Sequence, residues 1–391
     1  MPLRVGIDVR VADPAEPGQQ RYLWRLGAWL GGRGHDVRVL TVREQRPDVA
    51  VPNGVVLERL HGLSRSELRR RITALELDAL LLNPERSRRY RGLPANVLRS
   101  GYGTEHYVQK LRSFRHPLER GLRAALRANP WDTAERRWER AFYESTEPTP
   151  EIVAQSGYMK RQILGSYRVD EARVHVIHNP VDASEYSPPA RLALREEMRA
   201  RWSIPPDAFC LLVLAHNFRL KGLWDILPVL AAGEPDVHLL VAGRGTGDAQ
   251  RARARRLVDR LGLEDRVVLA GPVRPSLHAH AAADALLHLS WHDSFGFVVL
   301  EAMACGLPVV TTPHVGAAEL VEDGVSGFLV DPGSRPAIAG AIDRLREPAA
   351  RAAMGHRAAH VGAAHDEPGN FERMEAVMTS AAVRRGRPIS P

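Results

Sequence analysis

The chain has 391 residues, 44% hydrophobic and 26% charged. That composition excludes a wholly disordered protein, and at roughly 100–200 residues per domain it implies two domains. The formal charge of +8 is uneven: residues 1–200 hold 34 basic and 25 acidic side chains, and so all of the excess. Such an imbalance suits an anionic partner for the first half, whether phosphate, nucleic acid or a membrane surface. An arginine-rich coding bias gives the same numbers, since only Lys110, Lys160 and Lys221 of the 54 cations are lysines. There is no apolar run of about 18 residues to span a bilayer, and MPLRVGIDVRVADP lacks an apolar signal core. Cys210 and Cys305 are the only cysteines, too few for a disulfide framework or a zinc site. The expected location is the cytoplasm.

In chain order, LRVGIDV (3–9) predicts a strand. The loop EPGQQRY follows, where Gly18 allows close ligand approach. QRYLWRLGAWLGGRGH (20–35) places Leu23, Leu26 and Leu30 on one helical face. DVRVLT (36–41), DALLLN (78–83) and ANVLRS (95–100) predict further strands. RSGYGTEHYV (99–108) leaves the last of these and carries His106, either a structural histidine or one that polarises a substrate hydroxyl.

The segment 107–128 sets Tyr107, Leu111, Phe114, Leu118 and Leu122 on one stripe, amid six cations and the single acid Glu119. It reads as a core-facing helix or as a basic amphipathic helix on an anionic membrane. Pro117 favours two short helices. VIHNPVDASEYSPPARLALREE, with Pro180, Pro188 and Pro189, reads as a linker between domains.

The second half repeats the pattern at 209–215, 237–243, 267–271, 283–289 and 308–312, with helix-length segments between. Alternating strands and helices imply parallel, doubly wound sheets. The expected organisation is a first domain at 1–180, a second at 181–365, and a helix and tail at 366–391 that packs back toward the first domain.

Three segments carry chemistry. LLVLAHNFRLKGLWDIL (211–227) runs from a strand into a turn with Arg219 and Lys221. These two either face solvent or neutralise a diphosphate leaving group. LLVAGRGTGD (239–248) is glycine-rich after a strand but lacks the full dinucleotide fingerprint, so close backbone packing explains it better. SWHDSFGFVVLEAMACGLPVVTT (290–312) places Asp293 and Gly296 before a helix and Glu301 within it. The free N–H groups of Phe297 and Val298 at that helix start suit a phosphate.

An eight-residue spacing is at most roughly 12 Å along a helix, wider than the paired carboxylates of glycosidases at about 5–9.5 Å. It suits the two ends of an extended ligand, although an ordinary surface Glu301 and a loop-capping Asp293 are the plain alternative. His288 and His292 flank a strand end and make no convincing metal pair. Walker A, HExxH, CxxC, GxSxG and DxD motifs are absent.

These residues together resemble retaining glycosyltransferases of the GT-B fold, family 4. The likeness is strongest over 205–332. D-S-F-G-F-V-V-L-E from Asp293 to Glu301 matches the family's acidic signature, with Asp293 where glutamate is usual. Arg219–Gly222 resembles its diphosphate clamp, VHVIHNPVD (174–182) its entry to the second domain, and ELVEDGVSGFLVD (319–331) its closing segment.

The resemblance implies an α/β fold of two Rossmann-like domains facing a cleft. It implies that Glu301 holds the donor ribose and that the backbone near Val273 meets the base. Phe297, Val298, Gly296, Arg219 and Lys221 hold the diphosphate, Asp293 contacts sugar hydroxyls and His106 lies near the reacting carbon. No metal or other cofactor is implied. The first half, through Gly18–Arg21, segment 107–128 and ERAFYES (139–145), is most similar to lipopolysaccharide core glucosyltransferases. The expected donor is UDP-glucose and the expected acceptor a saccharide or lipid-linked saccharide. Segment 107–128 would then touch the inner face of the membrane, with Gly18 and Gln19 on the acceptor side. Alternatives are another donor such as GDP-mannose, another acceptor, or a GT-B nucleotide-sugar epimerase. A basic nucleic-acid-binding module is the remote alternative.

Overall fold

Among the described residues, every strand runs parallel to its neighbours. The computed structural model describes residues 2–9, 13, 18–41, 50–83, 93–100, 130–146 and 148–386, with backbone alone at 130–136. His106 and segment 107–128 lie outside the described residues. The chain divides into two compact units, Met1–Ile177 with Pro368–Pro391, and His178–Glu367. The first boundary stands three residues before the one expected from sequence.

The first unit holds a seven-stranded sheet. Its strands are β1 (Arg4–Val9), β2 (Asp36–Thr41), β3 (Val55–Arg59), β4 (Ala79–Leu82), β5 (Val97–Arg99), β6 (Glu151–Ala154) and β7 (Val174–Val176). Their order is β3-β2-β1-β4-β5-β6-β7. Gly18 (φ +74°) begins the helix Gln19–Gly32 after β1, and Gln19 is its first residue. The last helix, Glu367–Arg384, belongs to this unit beyond its first residue. Phe371 packs 5.8 Å from the rings of both Tyr22 and Trp29. Tyr22 donates to Asn370 Oδ1 (2.9 Å), and Asn96 donates to the Ala381 carbonyl (3.3 Å).

The second unit holds six strands in the order β10-β9-β8-β11-β12-β13. They are β8 (Phe209–Leu214), β9 (Val237–Ala242), β10 (Val267–Gly271), β11 (Ala285–His288), β12 (Val309–Thr311) and β13 (Gly327–Leu329). Both faces of this sheet are covered. Cys210 and Leu212 of β8 join one core cluster, while Phe209, Leu211 and Val213 join another. Double coverage explains why its strands read as continuous apolar runs. The chain first builds outward through β8, β9 and β10, then returns to pair β11 with β8. The order therefore reverses between β8 and β11, and ligands of open α/β sheets bind at the carboxyl ends of strands flanking such a reversal.

One sequence expectation needs correction. The proline-rich stretch after Val176 is not linker throughout, because Pro188–Arg201 is a helix. Pro188 and Pro189 stand at its start, where a missing N–H costs nothing and a fixed φ helps. Arg191, Arg195 and Arg199 lie four residues apart on this helix. Arg195 reaches Asp284 Oδ1 (2.6 Å) and Arg199 reaches Asp284 Oδ2 (2.7 Å). That second oxygen also accepts from the Cys210 N–H (2.8 Å). Arg199, 3% exposed, further donates to the carbonyls of Ala282, Pro205, Pro206 and Ala208. One carboxylate thus ties a cationic helix face to the sheet.

Candidate active site at the sheet reversal

The turn after β8 carries Arg219 and Lys221. It is shaped by Gln250 of the helix Asp248–Leu261, which accepts from the Phe218 N–H (2.9 Å) and donates to Asn217 Oδ1 (3.2 Å). Asn217 Oδ1 accepts in turn from the Leu220 N–H (3.1 Å). Gly222 closes the turn at φ +78° and starts the helix Leu223–Ala232. A Cβ there would lie 2.7 Å from the Leu289 Cβ and carbonyl oxygen, so both conformation and space require glycine. Arg219 stays half-buried in this turn.

On the other side of the reversal, β11 ends at His288 and leads to Asp293. The Asp293 backbone is pinned, its N–H donating to the His314 carbonyl (3.0 Å) and its carbonyl accepting from Gly316 (3.1 Å). The helix Phe297–Ala304 starts on Gly296 at φ +88° without a side-chain cap. A Cβ at Gly296 would come within 2.9 Å of Val315. Asp293 therefore precedes the helix that carries Glu301, as the sequence leads one to expect. Among the described residues, nothing accepts from the N–H groups of Phe297 and Val298. They remain available to an anion at the helix start.

The structure brings Lys221 and Asp293 together. Lys221 Nζ donates to Asp293 Oδ2, and His288 Nε2 lies 3.1 Å from that oxygen and 3.3 Å from Nζ. All three side chains are buried. Burial alone would raise the Asp293 pKa, but the Lys221 ammonium, with help from His288, holds it well below the usual carboxylate range. Burial and then the Lys221 charge push His288 down to about 4. His288 is neutral at pH 7.

This difference fixes the sign of an acid effect. The unfolded chain takes up a proton at His288 near pH 6.5, whereas the folded chain waits until about 4. Stability is therefore lost as pH falls through that interval. Asp293 adds a loss below about pH 4, the ordinary carboxylate value. In a pH series, the melting temperature of His288→Leu should fall less steeply than that of wild type between pH 6.5 and 4, a divergence worth up to about 3 kcal/mol. Parallel curves would contradict this protonation assignment.

Glu301 sits on the helix beyond this cluster. Ser276 donates to its Oε2 (3.1 Å), and His280 Nε2 lies 3.4 Å from the same oxygen. Because the single Ser276 proton is used there, the Tyr186 hydroxyl, 2.7 Å from Ser276 Oγ, is the donor in that pair. Among the described residues no partner falls on Oε1, and the Glu301 side chain is 18% exposed. One oxygen is held while the other is left for hydroxyl donors. Val273, half-buried, follows β10 three residues before Ser276. Gly18 and Gln19 belong to the first unit, and His106 is outside the described residues.

His288, His280, Ser276 and Tyr186 were missed as supporting groups. His288 ends β11, Tyr186 lies in a loop, and Ser276 and His280 belong to the start and body of the helix Leu277–Ala282, and no spacing in the sequence links them to the acids they touch.

Two parallel-sheet, Rossmann-like units of this kind are the architecture of GT-B glycosyltransferases. The crystal structure of WaaG, a glycosyltransferase involved in lipopolysaccharide biosynthesis, matches with a TM-score of 0.75 at 20% identity over 98% of this chain and 100% of that one. Anabaena Alr3699/HepE in complex with UDP-glucose matches with a TM-score of 0.73 at 20% identity, over 97% and 100%. The chain belongs to the group 1 glycosyl transferases: that family matches residues 195–361, and Glycosyltransferase Family 4 matches 98–185. The D-inositol 3-phosphate glycosyltransferase of Mycolicibacterium smegmatis is 30% identical over 100% of this chain and 94% of that protein. Among the described residues, no helix is long and apolar enough to cross a membrane.

Proposed function

We propose that the enzyme transfers glucose from UDP-glucose to a hydroxyl of a saccharide or lipid-linked saccharide, with retention of configuration and without a metal. The observation that carries the donor reading is the arrangement at the β8/β11 reversal. A buried lysine, an uncapped helix start with two free N–H groups, and a carboxylate with one open oxygen lie on adjoining loops and one helix. Lys221, Arg219 and the N–H groups of Phe297 and Val298 stabilise the departing diphosphate, Glu301 holds the ribose, and the backbone at Val273 meets the base. Asp293 binds sugar hydroxyls. In this reading the departing phosphate oxygen accepts the acceptor's proton on the face it leaves, so no enzymic nucleophile is needed. His106 lies near the reacting carbon, Gly18 and Gln19 serve the acceptor, and segment 107–128 meets the inner face of the membrane. The Alr3699/HepE complex with UDP-glucose supports the donor.

A second reading concerns the acceptor alone. The full-length relative named for D-inositol 3-phosphate favours a phosphorylated polyol in place of a saccharide.

Thermal-shift measurements with UDP-, GDP-, ADP- and TDP-sugars, in EDTA, test the donor. UDP-glucose at about 100 times its Kd should stabilise the protein by about 2.7 kcal/mol, with smaller shifts for the others. No shift with any of the four rejects the site. Product anomeric configuration, read by NMR with each acceptor class, tests retention and separates the two acceptors.

A further inference from the structure

We infer that His288 is a positioning residue that keeps Asp293 in place when Lys221 leaves it for the donor diphosphate. The inference rests on the proposed diphosphate role of Lys221. Asp293 Oδ2 has two partners, Lys221 Nζ and His288 Nε2, and Oδ1 receives only a 3.4 Å bond from the Phe295 N–H. A diphosphate carries more negative charge than one carboxylate and draws the lysine toward itself. Asp293 is 7% exposed, and a carboxylate so buried and left unpaired is costly. His288 is then the one remaining side-chain partner of Oδ2 among the described residues.

The imidazole suits that exchange because one nitrogen faces both groups. Nε2 is 3.3 Å from Nζ and 3.1 Å from Oδ2. With a bare Nε2 it accepts from Lys221, and with a protonated Nε2 it donates to Asp293; it cannot do both. While the lysine is present, the carboxylate already has a strong donor. Once the lysine turns away, an Nε2–H donating to Oδ2 replaces it, and Oδ1 stays where sugar hydroxyls can reach it.

The other groups around His288 do not compete. The charged groups acting on it are Lys221 from the loop after β8 and Asp293 from the loop after β11. From β12 the neutral Thr311 hydroxyl donates to the His288 carbonyl (3.1 Å). Gly296 closes the remaining side, where an added Cβ would lie 3.5 Å from Nε2. His288 itself is 1% exposed, so its role is exerted on Asp293 rather than on the sugar.

Two measurements test this. The first compares wild type, His288→Leu and His288→Gln, each shown to be folded, for UDP binding and UDP-glucose turnover. His288→Leu should bind UDP as wild type does and keep its donor KM, yet lose about 10–100-fold in kcat through a misplaced Asp293. His288→Gln, whose amide NH₂ reaches the Nε2 position, should recover most of that loss. An unchanged kcat in the leucine variant, a loss confined to KM, or a glutamine variant no better than leucine overturns the inference. Failure of wild type to bind UDP instead rejects the diphosphate reading.

The second measurement needs no donor. In Lys221→Met the lysine is permanently absent, so Asp293 acts on His288 alone. NMR titration should move the His288 pKa up by more than one unit from about 4 in wild type. An unshifted titration shows that the imidazole does not take over the carboxylate and overturns the inference by a separate route.

Discussion

Lys221→Ala should reduce sugar transfer by about 100–1,000-fold, the effect of deleting one well-placed donor to a charge that develops in the transition state. The ammonium is buried beside Asp293, at the turn built by Gln250 and Asn217. In that dry setting, charge stabilisation is stronger than in water and requires little reorganisation. The drop belongs mainly in kcat, because in the proposed reaction the diphosphate gains charge as the sugar leaves. Glu301→Ala should act on the same reaction by a different route. It removes the acceptor proposed above for ribose hydroxyls, with each hydrogen bond to a charged group worth about 1.5–3 kcal/mol. It should therefore raise the donor KM by about 100-fold, while melting temperature changes little. Transfer assays on both variants, alongside circular dichroism, decide the matter. Near-wild-type transfer by both folded variants would refute the site.

The largest stability effect should come from Asp284, a residue outside the site. Asp284→Ala should destabilise the second unit by about 3–5 kcal/mol, as expected when one partner of a buried pair is removed and the other charge remains. Arg191, Arg195 and Arg199 all project from one face of the helix Pro188–Arg201. Burial, then the neighbouring Arg195 charge, already lowers the Arg191 pKa. Asp284 is the carboxylate that both Arg195 and Arg199 reach, and it also caps the Cys210 N–H. At about 2–4 °C per kcal/mol for a domain of 150–250 residues, the unit's melting temperature should fall by about 10 °C. Asp284→Asn keeps some hydrogen bonds and should fall less. A shift of under about 2 °C in the alanine variant would show that the arginines find other compensation.

Much of the second sheet was legible because its strands are covered on both faces. FCLLVL and VHLLVA are continuous apolar runs for that reason. The strands 55–59 and 151–154 were not read from the sequence. Val55–Arg59 lies at a sheet edge, leaves Val56 45% exposed and ends in two charges. Glu151–Ala154 opens on a buried glutamate whose partners, His175 (2.6 Å) and Arg384 (2.9 Å), are distant in sequence.

At the site, Lys221, Asp293 and Glu301 stood out through their motifs. The pairing of Lys221 with Asp293 did not, because it depends on β8 and β11 becoming neighbours across a gap of some 70 residues. The linker expectation failed for a related reason. Prolines at 188 and 189 signal a break only if the helix does not start there, and the arginine face that anchors it finds its partner at Asp284.

The return of the last helix to the first unit has a practical consequence for recombining such enzymes. The chain passes between the units twice, at Ile177/His178 and at Glu367/Pro368. A chimera that grafts a foreign second unit at a single crossover would therefore exchange the closing helix as well. It would separate Phe371 from Tyr22 and Trp29, Glu375 from His35 (2.8 Å) and Arg33 (3.0 Å), and Ala381 from Asn96. A graft with two crossovers, inserting residues 178–367 as a cassette, leaves those native pairs intact. In engineering terms the second unit is a guest within its host, and it can be exchanged as a module only if the host keeps both of its ends.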